Sequence, residues 1–319
     1  MKKVIFFILI ILFCLASMDV LAAYPTKGVT LICPWSPGGG TDMVARILAS
    51  ELEKEYGVPF SVVNKPGGGG AVGHGAGAYA KPDGYTITLS TLEIATMHSM
   101  GLTQLTYEDF DYVMQVNEDP AAVIVRSDAL WDSVTELVVD IAMHPGEYKF
   151  SGTGAGGIWD LARIGLLDSL GIPADSVLWI PTQGSGPAIV ELLGGHVDVL
   201  TCSAPIADSQ LEGEFKLLAV MSDTRDQKYP DIPTLKELGI NWSAGTWRGI
   251  TVPKGTPKEI IDSLYEKLSK IVASSEYKDL MKKAGFGIKV RDPEEFYNFA
   301  KEQDSTWRSM LDKGGYLKK

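Results

Sequence analysis

The stretch Val29-Thr30-Leu31-Ile32-Cys33-Pro34-Trp35-Ser36-Pro37-Gly38-Gly39-Gly40-Thr41-Asp42 joins a mostly apolar, β-branched run to an amphipathic run that begins at Met43. The first five residues read as a buried strand, and the periodic residues after Asp42 read as a helix. Between them the glycines let a backbone approach a ligand closely, and Thr41 or Asp42 can cap the helix. The first N–H groups of such a helix carry partial positive charge, so the junction predicts a strand, loop and helix that hold an anion. Which anion, and whether chemistry follows binding, stays open at this point.

The same alternation continues outward. Strand-like and helix-like runs follow one another as 29–33, helix 42–56, 60–63, helix 70–80 and 86–90. A second series begins after the Pro120 region with 122–125, helix 133–143, 148–151 and helix 157–170, then 177–180, helix 186–193, 197–201 and 216–221. This pattern predicts an α/β fold of two doubly wound domains with a ligand cleft between them. A strand over 247–252, a helix over 256–274 opened by Thr256-Pro257-Lys258-Glu259, and a helical region over 293–311 return the chain to the first domain. The expected organisation is residues 24–124 with 250–319 as one domain and 125–249 as the other.

Glycine-rich loops fall at several strand-to-helix junctions: 38–40, 67–70, 152–157 and 183–186. Any one could serve a tight turn, but four of them divided between two domains favour a binding cleft at the carboxyl ends of the strands. The run 68–73 formally fits the dinucleotide fingerprint, yet it follows the second strand and no acidic residue ends a strand about twenty positions later. No glycine loop continues into Gly-Lys-Ser/Thr, so a nucleotide P-loop is absent. His74, His98, His144 and His196 lack metal-ligand spacing, and no nucleophile elbow surrounds Ser185. No metal site, cofactor site or catalytic constellation is therefore expected. A hydrolase using Asp42, Ser185 or Asp198 is the weaker alternative. Asp83 reads as a turn residue, and Arg248, between Trp247 and Gly249, can pair either with a ligand carboxylate or with a local acid.

The 319 residues carry a formal net charge of −11 and 45% hydrophobic content, which suits two domains with large cores. Residues 1–23 read as a secretory signal: two lysines, an apolar run too short for a membrane span, and small residues at Ala22 and Ala23. Losing Lys2, Lys3 and Asp19 with it takes the charge from −11 to −12, which disfavours nucleic acid and anionic lipid as partners. A soluble periplasmic protein is expected in preference to one anchored by a lipid at Cys14, since Phe13 is bulky where a lipidation signal wants a small residue. Cys33 and Cys202 read as buried thiols, with a disulfide as the other reading.

Taken together, Tyr24-Pro25, the 34–46 loop, Val63-Asn64-Lys65-Pro66 with its glycines, Lys81-Pro82-Asp83-Gly84-Tyr85-Thr86, Gly184-x-x-Pro187-Ala188, Leu193-Gly194-Gly195-His196-Val197-Asp198, Pro233-Thr234-x-x-Glu237 and Pro253-x-Gly255-Thr256-Pro257 resemble the Bug family of extracytoplasmic receptors for tripartite tricarboxylate transporters. The resemblance covers nearly the whole mature chain. It implies a type II clamshell like that of periplasmic binding proteins, closing on a small organic carboxylate held by backbone N–H groups and waters. It further implies permease subunits as partners, or a signalling partner if the closed form is sensed, and a monomer with no cofactor. By position, Ser36, Gly39 and Thr41 would contact the ligand from the first domain, with Gly69, Gly70 and Thr91 nearby. Gly154, Ala155, Gly156 and Gly157 would face it from the second, with Gln183, Ser185, Ala188 and Asp198 around them. Trp35, Gly40, Asp42, Thr153 and Arg248 complete the candidate set, with Trp35 the expected place for selectivity. The family often has Ser at Gly157, His at Asp160 and an apolar residue at Arg248, so the ligand of this chain does not follow from the resemblance.

Overall fold

A computed structural model describes residues 24–206, 213–226 and 228–318. The signal-like leader and Cys14 lie outside them. Among the described residues, nine strands form one mixed sheet in the order β2-β1-β3-β9-β4-β7-β5-β6, with β8 also on β4. The strands are β1 Val29–Cys33, β2 Phe60–Asn64, β3 Thr86–Thr91, β4 Phe110–Arg126, β5 Lys149–Ser151, β6 Leu178–Ile180, β7 Val199–Ser203, β8 Phe215–Val220 and β9 Gly245–Pro253. The helices are α1 Gly40–Tyr56, α2 Ala71–Ala78, α3 Val134–Met143, α4 Ile158–Ser169, α5 Ser185–Leu193, α6 Lys258–Ala273, α7 Ser275–Ala284, α8 Pro293–Thr306 and α9 Arg308–Lys313.

The parallel pairs β1–β2, β1–β3, β5–β6 and β5–β7 are joined by helical crossovers, as the alternation predicts. The centre of the sheet is different, because β9 runs antiparallel to both β3 and β4, and β4 runs antiparallel to β7 and β8. β4 is a single strand of 17 residues that pairs with β9 as far as Pro120 and with β7 from Ala121 onward. The sequence reading placed a strand only at 122–125. Pro120 reads as a strand breaker because it lacks an N–H, but here it stands where the strand changes partners and the ladder asks least of it.

Burial follows the layers. β1 lies between two parallel neighbours and four of its five residues are buried, which explains its nearly continuous apolar run. α1 places Val44, Ala45, Leu48 and Leu52 on the sheet and stops at Gly57, whose left-handed backbone donates to the Glu53 carbonyl at 2.8 Å. α2 presses closer still: a Cβ on Gly73 would run into Pro34, and one on Gly77 into Thr88. The 293–311 region divides into α8 and α9 at Trp307, and the 275–284 helix, unanticipated from the sequence, is capped by the Ser274 hydroxyl. Cys33 and Cys202 are both buried free thiols, each pushed up to about 12 by burial. Among the described residues no helix is long and apolar enough to cross a membrane, and no cluster of His, Cys, Asp or Glu could hold a metal.

Candidate functional site

The carboxyl ends of β1, β3, β5 and β6 gather their loops around one small cavity. α1 begins with Gly39 as its N-cap, in extended geometry and with no side-chain cap. Neither Thr41 nor Asp42 caps it. Asp42 is instead the third helical residue, and its carboxylate reaches back to the Gly38 N–H at 3.0 Å while taking both Arg46 donors at 2.9 Å and the Asn64 amide at 2.8 Å. Burial acts to raise its pKa, and Arg46, Gly38 and Asn64 outweigh it, so the carboxyl lies below the usual carboxylate range. Asp42 thus fixes the loop.

α4 repeats the device. Gly157 is the N-cap, and Asp160 accepts the Gly156 N–H at 2.9 Å and the Arg163 guanidinium at 2.9 and 2.6 Å. At each helix start the earliest N–H groups have no intrahelical acceptor, and at α4 the first of them, on Ile158, donates to Glu93. The loops of these junctions touch here: the Ser36 N–H donates to the Gln183 carbonyl at 3.0 Å, and a Cβ on Gly154 would lie 3.1 Å from the Gly69 Cα.

The cavity is about 20 Å³ and is lined by Trp35, Gly39, Gly40, Thr41, Glu93, Thr153, Ile158, Trp159, Ser185, Thr246 and Arg248. Seven candidate residues are therefore brought together: Trp35, Gly39, Gly40, Thr41, Thr153, Ser185 and Arg248. The others lie outside its wall. Ser36 and Gln183 join the loops through the backbone, and the Gln183 side chain is exposed. Gly69 abuts Gly154, Gly156 abuts Met100, and Gly70 packs beside His74 and Trp35. Ala155 and Gly157 belong to the α4 turn, and Ala188 is buried inside α5. Asp198 sits at a strand start, accepting the Lys149 N–H at 2.8 Å, where its short side chain serves the β5 edge.

Arg248 resolves in favour of a local acid. It forms an ion pair with Asp119 at 2.6 Å, with side chains 3% and 2% exposed, and donates to Thr41 Oγ1 at 3.1 Å and to Asn117. Asn117, directly opposite Arg248 in the β4–β9 ladder, and Asp119 stand two residues apart on one face of β4. Gly287 completes that buried polar seam, donating its N–H to Asp119 at 2.8 Å and accepting from Asn117 at 2.6 Å.

Glu93 was not singled out from the sequence. It follows β3 in a short 3-10 turn over Leu92–Ala95 and is buried, with the apolar Leu92, Ile94 and Ala95 beside it in the chain. An acid inside the run Leu92-Glu93-Ile94-Ala95 was the available signal, since an isolated carboxylate seldom sits in a core without a purpose. Its Oε1 accepts the Ile158 N–H of α4 at 3.2 Å, and its Oε2 accepts the Thr91 hydroxyl at 2.5 Å. Burial raises its pKa, against the pull of Thr91, Ile158 and Arg248. Thr91 also accepts the Trp35 indole N–H at 3.2 Å, and its own N–H donates to His74 Nε2 at 3.2 Å. His74 Nδ1 donates to the Gly70 carbonyl at 2.9 Å, which fixes the tautomer, and burial lowers this imidazole to about 4. Trp35 is therefore held by the same relay as Glu93.

The titratable side chains in the cavity wall are Glu93 and Arg248, and among the described residues no hydrogen bond joins either to Ser185. His74, the histidine of this neighbourhood, has both ring nitrogens engaged.

Comparison with known proteins agrees with this geometry. The model of the tripartite tricarboxylate transporter family receptor matches residues 44–316. The periplasmic binding protein BugD is 31% identical, with a TM-score of 0.86 over 93% of this chain and 100% of that one. MatC from Rhodopseudomonas palustris, solved with bound malate, is 26% identical, with a TM-score of 0.83 over 90% of this chain and 100% of that one. A TctC solute-binding protein from Polaromonas, solved without ligand, is 36% identical but has a TM-score of 0.66 over 91% of this chain and 99% of that one. Strand order, paired helix starts and family match lead to one statement: the chain belongs to the tripartite tricarboxylate transporter receptor family, the TctC or Bug solute-binding proteins.

Proposed function

We propose that this protein is exported to the periplasm, closes its two halves over a small organic carboxylate, and delivers it to the permease subunits of a tripartite tricarboxylate-type transporter. The observation that carries this reading is the convergence of the α1 and α4 starts, with Ser185 at the start of α5, on one cavity at the strand carboxyl ends. Those N–H groups suit an anion in a chain whose overall charge would repel one. The cavity of about 20 Å³ has room for little more than water, so a carboxylate enters only when the halves part. We place the hinge where β4 changes partners, at Pro120–Ala121, and at the matching Ala244–Gly245 step into β9. Residues 24–124 with 250–319 would then move against 125–249, apart from the short stretches that shift at those crossings. In support, the more identical Polaromonas protein without ligand superposes less well than malate-bound MatC.

Calorimetry on the mature chain, with malate, adipate, monocarboxylates and amino acids, tests the reading alongside small-angle scattering. At least one carboxylate should bind and reduce the radius of gyration. An absence of binding across the panel, or binding without compaction, would overturn it.

A further inference from the structure

Resting on that receptor reading, we infer that Glu93 sets the ligand class: one carboxylate at the α1 end of the cavity and an N–H donor, ammonium or carboxamide, at the α4 end, in place of a second carboxylate. Glu93 belongs to the first half of the molecule, yet its Oε1 takes the Ile158 N–H that opens α4 in the second half. A carboxylate of the protein itself thus occupies the position where a ligand carboxylate would meet that helix. A second anionic group placed there would face Glu93 in a water-poor site, where like charges repel most strongly.

The charges around the cavity point the same way. Arg248 is already neutralised by Asp119 at 2.6 Å, so it has little attraction left for a dianion. A monocarboxylate with an ammonium or amide tail brings either no net charge or a single negative one. The tail also has a second partner. Thr153, only 4% exposed, lines the same wall, and its Oγ1 has no hydrogen-bond partner among the described residues. A buried hydroxyl left in that condition costs free energy unless something pairs with it. A ligand N–H engaging Glu93, with its neighbouring atoms in reach of Thr153, satisfies both. Gly157 makes room for this arrangement, since a Cβ there would come within 3.0 Å of Thr153 Oγ1 and 3.5 Å of Glu93 Oε1.

The test uses matched series at two lengths: succinate, succinamate and β-alanine, then adipate, adipamate and δ-aminovalerate, each titrated calorimetrically into the mature protein. A donor-ended member should bind about tenfold more tightly than the dicarboxylate of its length, and Glu93→Gln should shrink that ratio about tenfold. Thr153→Val, which removes a hydroxyl bound to nothing else, should weaken the donor-ended ligand several-fold, and it keeps the idea testable where Glu93→Gln fails to fold. Dicarboxylates binding as tightly as their donor-ended partners would overturn the inference and leave the receptor reading standing. The inference also falls if the preference is indifferent to Glu93→Gln, or to Thr153→Val where that is the variant that folds. An absence of binding by every member overturns this inference, while the receptor reading falls only if malate, the monocarboxylates and the amino acids fail to bind as well.

Discussion

The starts of α1 and α4 are built alike and used differently. Each has a left-handed glycine, Gly38 or Gly156, then an extended glycine N-cap, then an aspartate three residues into the helix that reaches back to that first glycine. Each aspartate is gripped by an arginine on the same helix. The shared part is an anchor: it pins the turn that precedes the helix and keeps the first turn from fraying. The difference lies in what closes around it. The Asp160–Arg163 pair is sealed, 0% and 4% exposed, whereas Arg46 beside Asp42 is 55% exposed and Asn64 supplies an additional donor. The α4 start also has its first N–H taken by Glu93 from the turn after β3, while at the α1 start the Thr41 hydroxyl accepts from Arg248. One local device, repeated at the two helix starts, therefore presents an open face on one side of the cavity and a pre-filled face on the other.

The largest expected effect attacks the anchors directly. Arg163→Ala strands a buried aspartate and the Ala174 carbonyl that Arg163 also serves, which should cost about 3–5 kcal/mol in urea unfolding. Arg46→Ala removes a largely exposed partner and leaves Asp42 with Asn64 and the Gly38 N–H, so it should cost about 1 kcal/mol or less. Equal losses would show that burial does not distinguish the two anchors.

A second expectation concerns pH, because the relay that holds Trp35 and Glu93 runs through Thr91 to His74. His74 is lowered from 6.5 to about 4 by burial, so between those values the unfolded chain binds the additional proton. Stability is then full above pH 6.5 and falls as pH drops toward 4, by about 3 kcal/mol in all. Glu93, whose pKa is raised, acts with the opposite sign: its contribution is greatest below its unfolded pKa and is lost as pH rises through the folded one. Urea titrations of the parent and His74→Gln across pH 4 to 7 isolate the histidine. A parallel pair of curves would show that His74 does not carry the slope.

How much of this was legible beforehand depends on the kind of signal. The strand and helix alternation is written in hydrophobic periodicity, so β1, α1, β5 and α4 could be read directly. The first half of β4 could not, since Pro120 and the polar residues Gln115, Asn117 and Asp119 disguise a strand whose polar face is buried against Gly287 and Arg291. The cavity loops were marked by their glycines. The partner of Arg248 was not, because Asp119 lies 129 positions away and meets it only through the β4–β9 ladder. Glu93 was hidden for a related reason: the helix start it fills belongs to a segment 65 residues further on. Periodicity reports a residue's own element, while side-chain partnership across the sheet is decided by register and crossover, which leave little trace in local sequence.

The smallest expected effects separate the two glycines that open α1. A Cβ on Gly40 would lie 2.8 Å from the Arg248 guanidinium, 3.2 Å from Ile206 and 3.3 Å from Phe286. Gly40→Ala must therefore push on the ion pair and the apolar wall together, at a cost of about 1–3 kcal/mol. At Gly39 the nearest atoms are 3.6 Å away, the Ser185 and Gly186 nitrogens across the interface, and the backbone is in an ordinary extended region. Gly39→Ala should change stability by about 1 kcal/mol or less, since alanine is a poorer N-cap than glycine but introduces no clash. Because those nearest atoms belong to the start of α5, its added methyl instead fills the space between the α1 and α5 starts, which the proposed closure would bring together. The discriminating measurement pairs urea unfolding with scattering on the parent and both variants. Gly40→Ala should lower stability, while Gly39→Ala should leave stability nearly unchanged and alter the ligand-induced compaction. The opposite pattern would place the contact between the halves away from the α1 N-cap and detach the open face of the cavity from the closing motion.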